Sequence, residues 1–221
     1  MKKPPSTPSI VRRSAFASPK VELVVACEGK NTERRYLEDC KSEYGAGLVK
    51  LRFLPITGVP LTVVNAAIEE RQRLIAQRNR SKDSFDVFRV WAVFDRDAHP
   101  NVDEALSLAE ENKIDVAYSN PCFEIWPLLH LIDYGAQDGR HAVQARLREE
   151  MPNYDHDKGA IVDFQLIKDA FPTAYERARV HNSARVVEGA PRGCPSTTVG
   201  ELVKKMAENG KCVFARRQSH T

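Results

Sequence analysis

Short apolar runs alternate with amphipathic segments along the first 120 residues. VELVVA (Val21 to Ala26) is a β-branched run that stops at Cys27-Glu28-Gly29, which predicts a buried strand followed by a turn. From Asn31, NTERRYLEDCKSEYG has helical composition, with Asn31 or Thr32 as capping residue, Glu33 in the first turn and Gly45 near the end. VKLRFLPI (Val49 to Ile56) alternates apolar and polar residues and predicts a second strand, closed by the turn Thr57-Gly58-Val59-Pro60. Leu61 to Arg80 spaces Val63, Val64, Ala67, Ile68, Leu74 and Ile75 as an amphipathic helix does. DVFRVWAVF (Asp86 to Phe94) is a third strand, more apolar than the second and so expected at the centre of the sheet. Val102 to Asn112 predicts a helix and IDVAYS (Ile114 to Ser119) a fourth strand.

This alternation predicts an α/β fold: a mostly parallel four-stranded sheet with right-handed crossovers, flanked by helices. Beyond Asn120 the pattern becomes mainly helical, over Phe123 to Tyr134, Gly139 to Glu150, Asp163 to Phe171, Ala174 to Asn182 and Thr198 to Asn209. Pro127 requires the first of these helices to start late or to kink. The chain therefore divides into a basic arm (1–20), an α/β core (21–120), a mainly helical extension packed on the core (121–210) and a frayed basic tail (211–221).

Charge alters this picture mainly at the ends. Thirty-three basic and 30 acidic side chains leave a net charge of +3, too small to argue for a polyanionic partner. The first twenty residues carry Lys2, Lys3, Arg12, Arg13 and Lys20 with no acid, among several Pro and Ser, and read either as a solvated arm or as one that touches phosphates. No signal-peptide core is present and no run approaches the ~18 to 20 apolar residues of a membrane span, which predicts a cytoplasmic protein without a membrane partner. Cys27, Cys40, Cys122, Cys194 and Cys212 are scattered, without Cys-x-x-Cys or close Cys/His pairing, against a disulfide scaffold or a structural zinc site. The pattern does not specify an oligomeric state.

The candidate chemistry is acidic. In VWAVFDRDAHP an apolar strand runs into Asp95 and Asp97, which the two-residue period of a strand puts on one side of the pleat. Glu28 ends the first strand, and in parallel sheets ligands bind at the carboxyl ends of strands. Carboxylates ~4 to 5 Å apart repel one another unless protons or a cation offset the charge. Mg²⁺ or Mn²⁺ suits such oxygen ligands and leaves positions open for a phosphate. Asp-x-Asp alone is also ordinary turn chemistry, and the signal lies in its conjunction with Glu28 in this order.

That conjunction resembles the Toprim domain of topoisomerases, primases and OLD-type nucleases. More narrowly, CEGKNTERRYL, FDRDAH, SNPCFEIWPLLH and PSTTVGELV, in order from Cys27 to Val203, are similar to the RloB family, Toprim-like proteins found near restriction and abortive-infection genes. The resemblance implies a Toprim-like Rossmannoid core and metal-dependent phosphodiester chemistry. It places Glu28 as metal ligand or acid/base group and Asp95 and Asp97 as metal-binding aspartates. Lys158, in NYDHDKG, matches a lysine associated with the family; a transition-state role and a plain charged loop are both open for it. Pro127 departs from the aliphatic residue usual in the family.

Other residues carry two readings each. Glu124 follows the helix-start signature Asn120-Pro121 and serves either beside the metal or in a structural pair. Glu33 is either near the metals or a favourable first-turn charge. His99 is a ligand, a proton shuttle or an exposed loop residue. Lys30 and Arg192 are placed to meet phosphates or are solvated, and Arg177, Arg179, Arg185, Lys204 and Lys205 either line a phosphate path or cover helix faces. Ser196 is the expected N-cap of the last helix.

The leading expectation is a Toprim-family nuclease using Mg²⁺ or Mn²⁺ on DNA or RNA, tRNA included, as an antiphage effector. The alternative is a non-catalytic or partner-dependent nucleic-acid-binding subunit working with a separate ATPase, since the chain has no P-loop of its own. A haloacid-dehalogenase-like phosphohydrolase fits less well, because there the Asp-x-Asp strand comes first and Thr or Val follows the second Asp.

Overall fold

A computed structural model describes residues 19, 21–29, 31–80, 87–96, 99, 101–156 and 159–211. The basic arm, apart from Pro19, and the tail beyond Lys211 lie outside them, as do Lys30, Asp97 and Lys158. The elements run β1 (Val21–Cys27), α1 (Thr32–Tyr44), β2 (Val49–Phe53), α2 (Pro60–Arg80), β3 (Val87–Asp95), α3 (Val102–Glu111) and β4 (Asp115–Asn120). They continue with α4 (Ile125–Leu131), α5 (Arg140–Glu150), α6 (Phe164–Ile167), a 3-10 turn (Lys168–Ala170), α7 (Phe171–Val187), β5 (Ser196–Thr197) and α8 (Val199–Asn209).

The sheet order is β2-β1-β3-β4-β5. Its first four strands pair in parallel, and β3 is central, as its apolar run predicts. The two faces of the strands go to different layers. Val24 and Ala26 of β1 and Val90, Ala92 and Phe94 of β3 pack under α2 and α3. Leu23, Val25, Cys27, Trp91 and Val93 on the opposite face join α1, α8 and the helices after β4 in one continuous hydrophobic cluster. Every β1 position, and Val90 to Phe94 of β3, is buried from one layer or the other, which is why these runs read as continuous rather than alternating.

Two sequence expectations are corrected. The sheet has five strands where four are expected: Ser196 and Thr197 pair antiparallel with Asn120 and Ser119. Ser196 is thus a strand residue, and Thr198 occupies the N-cap position of α8. The Thr198 hydroxyl accepts from the Tyr118 N–H and donates to the Val116 carbonyl, so a side chain continues the pairing where the backbone turns away. On the outer side of β5, the Asn182 amide of α7 bonds both the N–H and the carbonyl of Thr197, closing the sheet edge. The helix-start signature at Asn120-Pro121 leads first into a turn; α4 begins at Ile125, late enough to keep Pro127 within its first turn.

Candidate acidic functional site

Parallel register aligns the carboxyl ends of β1, β3 and β4. Cys27 pairs with Val93 and Asp95 with Ser119, and the Glu28 N–H extends the ladder to the Val93 carbonyl at 3.0 Å. Glu28, just past β1, and Asp95, the last residue of β3, are therefore neighbours: the Asp95 N–H donates to Glu28 Oε2 at 3.3 Å. His99 Nε2 lies 2.8 Å from the other Glu28 oxygen. The Asp95 carboxylate turns toward the segment after β4, where its Oδ2 accepts the Phe123 N–H at 3.0 Å.

Two more carboxylates meet this edge. Glu33, in the first turn of α1, lies against the Gly29 α-carbon so closely that a Cβ on residue 29 would overlap the carboxylate. Gly29 thus has a packing reason beyond turn chemistry: it lets the acid of α1 reach the strand ends. Glu124 stands at the N-cap position of α4 and is buried, 5% exposed. Its Oε1 accepts from the Tyr154 hydroxyl at 2.7 Å and the Gln144 amide at 3.2 Å, with His156 Nδ1 also at 3.2 Å.

Glu33, Asp95 and Glu124 line one cleft of about 250 Å³ with Gly29, Arg140 and His156. Burial, then the charges of Glu33 and Glu124, hold the Asp95 carboxyl well above the usual carboxylate range, although the Phe123 N–H opposes this. Burial raises Glu33 as well, with Glu124 and Glu28 adding to it against its own backbone N–H and Arg34. Glu124 behaves differently. Burial pushes its pKa up, but hydrogen bonds from Tyr154, Cys122 and its own N–H, together with His156, outweigh that and leave it lowered. The cleft therefore contains one firmly ionised carboxylate and two whose ionisation is costly unless positive charge arrives.

The donor set fits a hard divalent cation in kind: carboxylate oxygens from four separate segments beside an accessible cleft. Among the described residues, no three His, Cys, Asp or Glu side chains are close enough to share one ion. Asp97, the second aspartate of the motif, lies outside those residues.

The structure thus brings together Glu28, Asp95, Glu33, Glu124 and His99. Arg192 is at the carboxyl end of β4 but does not line the cleft; its carbonyl accepts from Asn120 and Tyr118, and its side chain is exposed. The other late basic side chains expected on a phosphate path all have hydrogen-bond partners within the chain. Arg177 donates to the Leu129 carbonyl, Arg179 to Glu176, Arg185 to Cys194 and Glu188, Lys204 to Tyr175 and Lys205 to Glu208. Tyr154, Gln144 and His156, which hold Glu124, have no signal in the sequence. Their separations from it, 20 to 32 residues, follow no local period, and only the packing of α5 and its following loop beside α4 brings them in.

A family model described as RloB-like protein matches residues 23–206. No curated protein matches the chain.

Proposed function

The chain belongs to the RloB-like family, and from the site it carries we propose that it is a Mg²⁺- or Mn²⁺-dependent nuclease, cleaving phosphodiester bonds in DNA or RNA in an antiphage defence role. One observation carries the reading: acidic side chains from four segments meet at the carboxyl edge of a parallel sheet, and two of them are pushed above their normal range by burial and by one another. A fold does not maintain such charge for stability, since each buried like charge opposes the others. The resemblance to Toprim nucleases adds the reaction class and remains a resemblance.

Glu28 and Asp95, together with Asp97, which lies outside the described residues, are the residues that would hold the cation, with Glu33 and Glu124 beside them. Bound there, it would supply Lewis-acid stabilisation of the phosphoryl oxygens and a more acidic water. The chain's own residues orient the site. Asp95 is fixed by the Phe123 N–H and Glu28 by the Asp95 N–H and His99. Tyr154 and Gln144 hold the Glu124 carboxylate in position, and Tyr154 with Cys122, the Glu124 N–H and His156 lowers its pKa. Burial and the neighbouring carboxylates raise the Asp95 and Glu33 pKa values, so a cation bound beside them would favour their deprotonated forms.

The test is incubation of purified protein with plasmid, single-stranded DNA and total RNA, tRNA included, in Mg²⁺ or Mn²⁺, beside Asp95→Asn. Metal-dependent products lost in the variant support the reading and identify the substrate. Binding of nucleic acid without cleavage would favour the partner-dependent subunit. Neither binding nor cleavage by folded, metal-loaded protein would sink the proposal.

A further inference from the structure

A second hollow adjoins the acidic cleft. It measures about 620 Å³, and Asn31, Thr32, Gly159 and Ala160 line both. Its character is the opposite of the cleft's: Arg34 and Arg35 of α1 face it, with Glu38 as its acid. Arg34 is held rigidly. Its Nη2 donates to the Leu54 and Ile56 carbonyls at 3.0 and 2.9 Å, and its guanidinium lies over the Phe53 ring. Arg35, one position on, is exposed. Asn31 makes no side-chain capping bond, so the amino end of α1 faces the groove without an Asn31 cap, although the Glu33 carboxylate takes its own N–H.

The far wall is shaped by backbone rather than by side chains. Gly159 and Ala160 have φ of 117° and 50°, and the Ala160 N–H is anchored on the Asp155 carbonyl at 2.9 Å. A non-glycine residue in the left-handed region is uncommon and here bends the chain so that Ile161, 43% exposed, stands at the rim. The groove thus combines cationic side chains, the amino end of α1 and an exposed apolar contact, next to a cleft that suits a cation and a phosphate.

We propose that this groove binds a nucleic-acid strand continuous with the bond held at the acidic cleft, with Arg35 and the first turn of α1 on its phosphates and Ile161 against a sugar or base. The inference rests on the phosphodiesterase reading above. A small phosphate ester would fill the acidic cleft and leave the larger basic groove idle, whereas a strand needs both. An acidic peptide would match the arginines but not the carboxylates beside them.

The experiment compares kcat/KM of full-length wild type and Arg35→Ala on a single-stranded oligonucleotide, as DNA and as RNA, and on bis(p-nitrophenyl) phosphate, in Mn²⁺. The expected result is an oligonucleotide-to-small-ester ratio about tenfold lower in the variant, arising in KM, with a log–log salt dependence shallower by about 0.7 for one lost phosphate contact. An unchanged ratio overturns the groove and leaves the phosphodiesterase reading standing. If wild type cleaves neither substrate, that reading fails by itself, and fluorescence anisotropy of the labelled strand on metal-free protein decides the groove. A tenfold affinity loss in Arg35→Ala supports it, while equal affinity or no binding overturns it. An unaltered melting temperature of the variant excludes misfolding as the cause.

Discussion

A glutamate stands at each end of β1, Glu22 at its second residue and Glu28 just past its last, and the two ends treat negative charge in opposite ways. At the amino end Glu22 is 5% exposed and fully answered: Lys50 lies 3.0 Å and Arg52 3.1 Å from its Oε1. Arg52 also reaches Glu70 of α2, which Arg73 holds from the other side at 2.6 Å. Hydrogen bonds from Arg73 and Arg52 carry the Glu70 pKa below its usual value against the effect of burial. At the carboxyl end the hydrogen bonds recorded among the described residues bring Glu28, Asp95 and Glu124 mainly neutral donors and imidazoles, and Asp95 and Glu33 are raised. One strand thus separates two uses of a carboxylate. Charge that fastens β2 and α2 to the sheet is paired with arginine and lysine, and carboxylates held above their usual pKa mark the place where something else is expected to bind.

Charge neutralisation at either end breaks or sharpens this contrast. The largest effect is expected in activity. Asp95→Asn should lower metal-dependent cleavage by about 10³-fold or more, the scale of losing a group that stabilises charge in the transition state. Glu22→Gln should leave the cleavage rate of the folded enzyme near wild type. Comparable loss from both, measured at a temperature where both remain folded, would erase the distinction between the two ends.

Stability should show the reverse order. Glu22→Ala leaves Arg52 and Lys50 without their shared acceptor and should cost about 2 kcal/mol in urea unfolding, less than a fully buried pair because both cations are partly exposed. Asp95→Asn removes a disfavoured charge and should stabilise the metal-free protein by about 1 kcal/mol, the size usual for relieving a local conflict at a functional site. It should also abolish the rise in melting temperature that saturating Mn²⁺ gives wild type. Destabilisation of the metal-free protein by Asp95→Asn would mean that the aspartate is structural.

The pH dependence follows from the same shifts. Asp95 and Glu33 have folded pKa values above their unfolded ones, so between the two the folded state holds protons that the unfolded state has released, and stability falls as pH rises through that window. Glu70 works in the other direction: its contribution is complete above its ordinary value of 4.5 and is lost as pH falls through its lowered one. In chelator, melting temperature measured from pH 7 toward the carboxylate range should therefore decline less in wild type than in Asp95→Asn. A steeper wild-type decline would contradict the raised values.

Much of the fold and of the site is legible in the sequence because strands carry their own labels. VELVVA and VWAVF are apolar enough to be buried on both faces, and the residue where each run stops falls at the carboxyl edge, so the residues alone locate Glu28 and Asp95. β5 is not legible: two residues have no period, and Ser196-Thr197 becomes a strand only because β4 offers a free edge and Asn182 covers the other side. The role of Glu124 is readable only as an alternative, since the apolar residues around it do not say what meets its carboxylate. Gly29 reads as turn chemistry, and its close approach to Glu33 emerges only once α1 is folded back on β1.

The smallest expected effect tests the partners that the sequence does not reveal. Tyr154→Phe removes the shortest hydrogen bond to Glu124 but keeps the ring packed, so the fold should persist. Because that bond favours the ionised carboxylate, losing it raises the Glu124 pKa from its lowered position. At neutral pH the group remains ionised, and cleavage should fall by no more than about threefold, reflecting looser positioning. The acid limb of the kcat/KM profile should move to higher pH, a change that a purely structural tyrosine would not produce. A uniform loss across the profile would make Tyr154 a packing residue and assign the low pKa of Glu124 to Cys122, its own N–H and His156 alone.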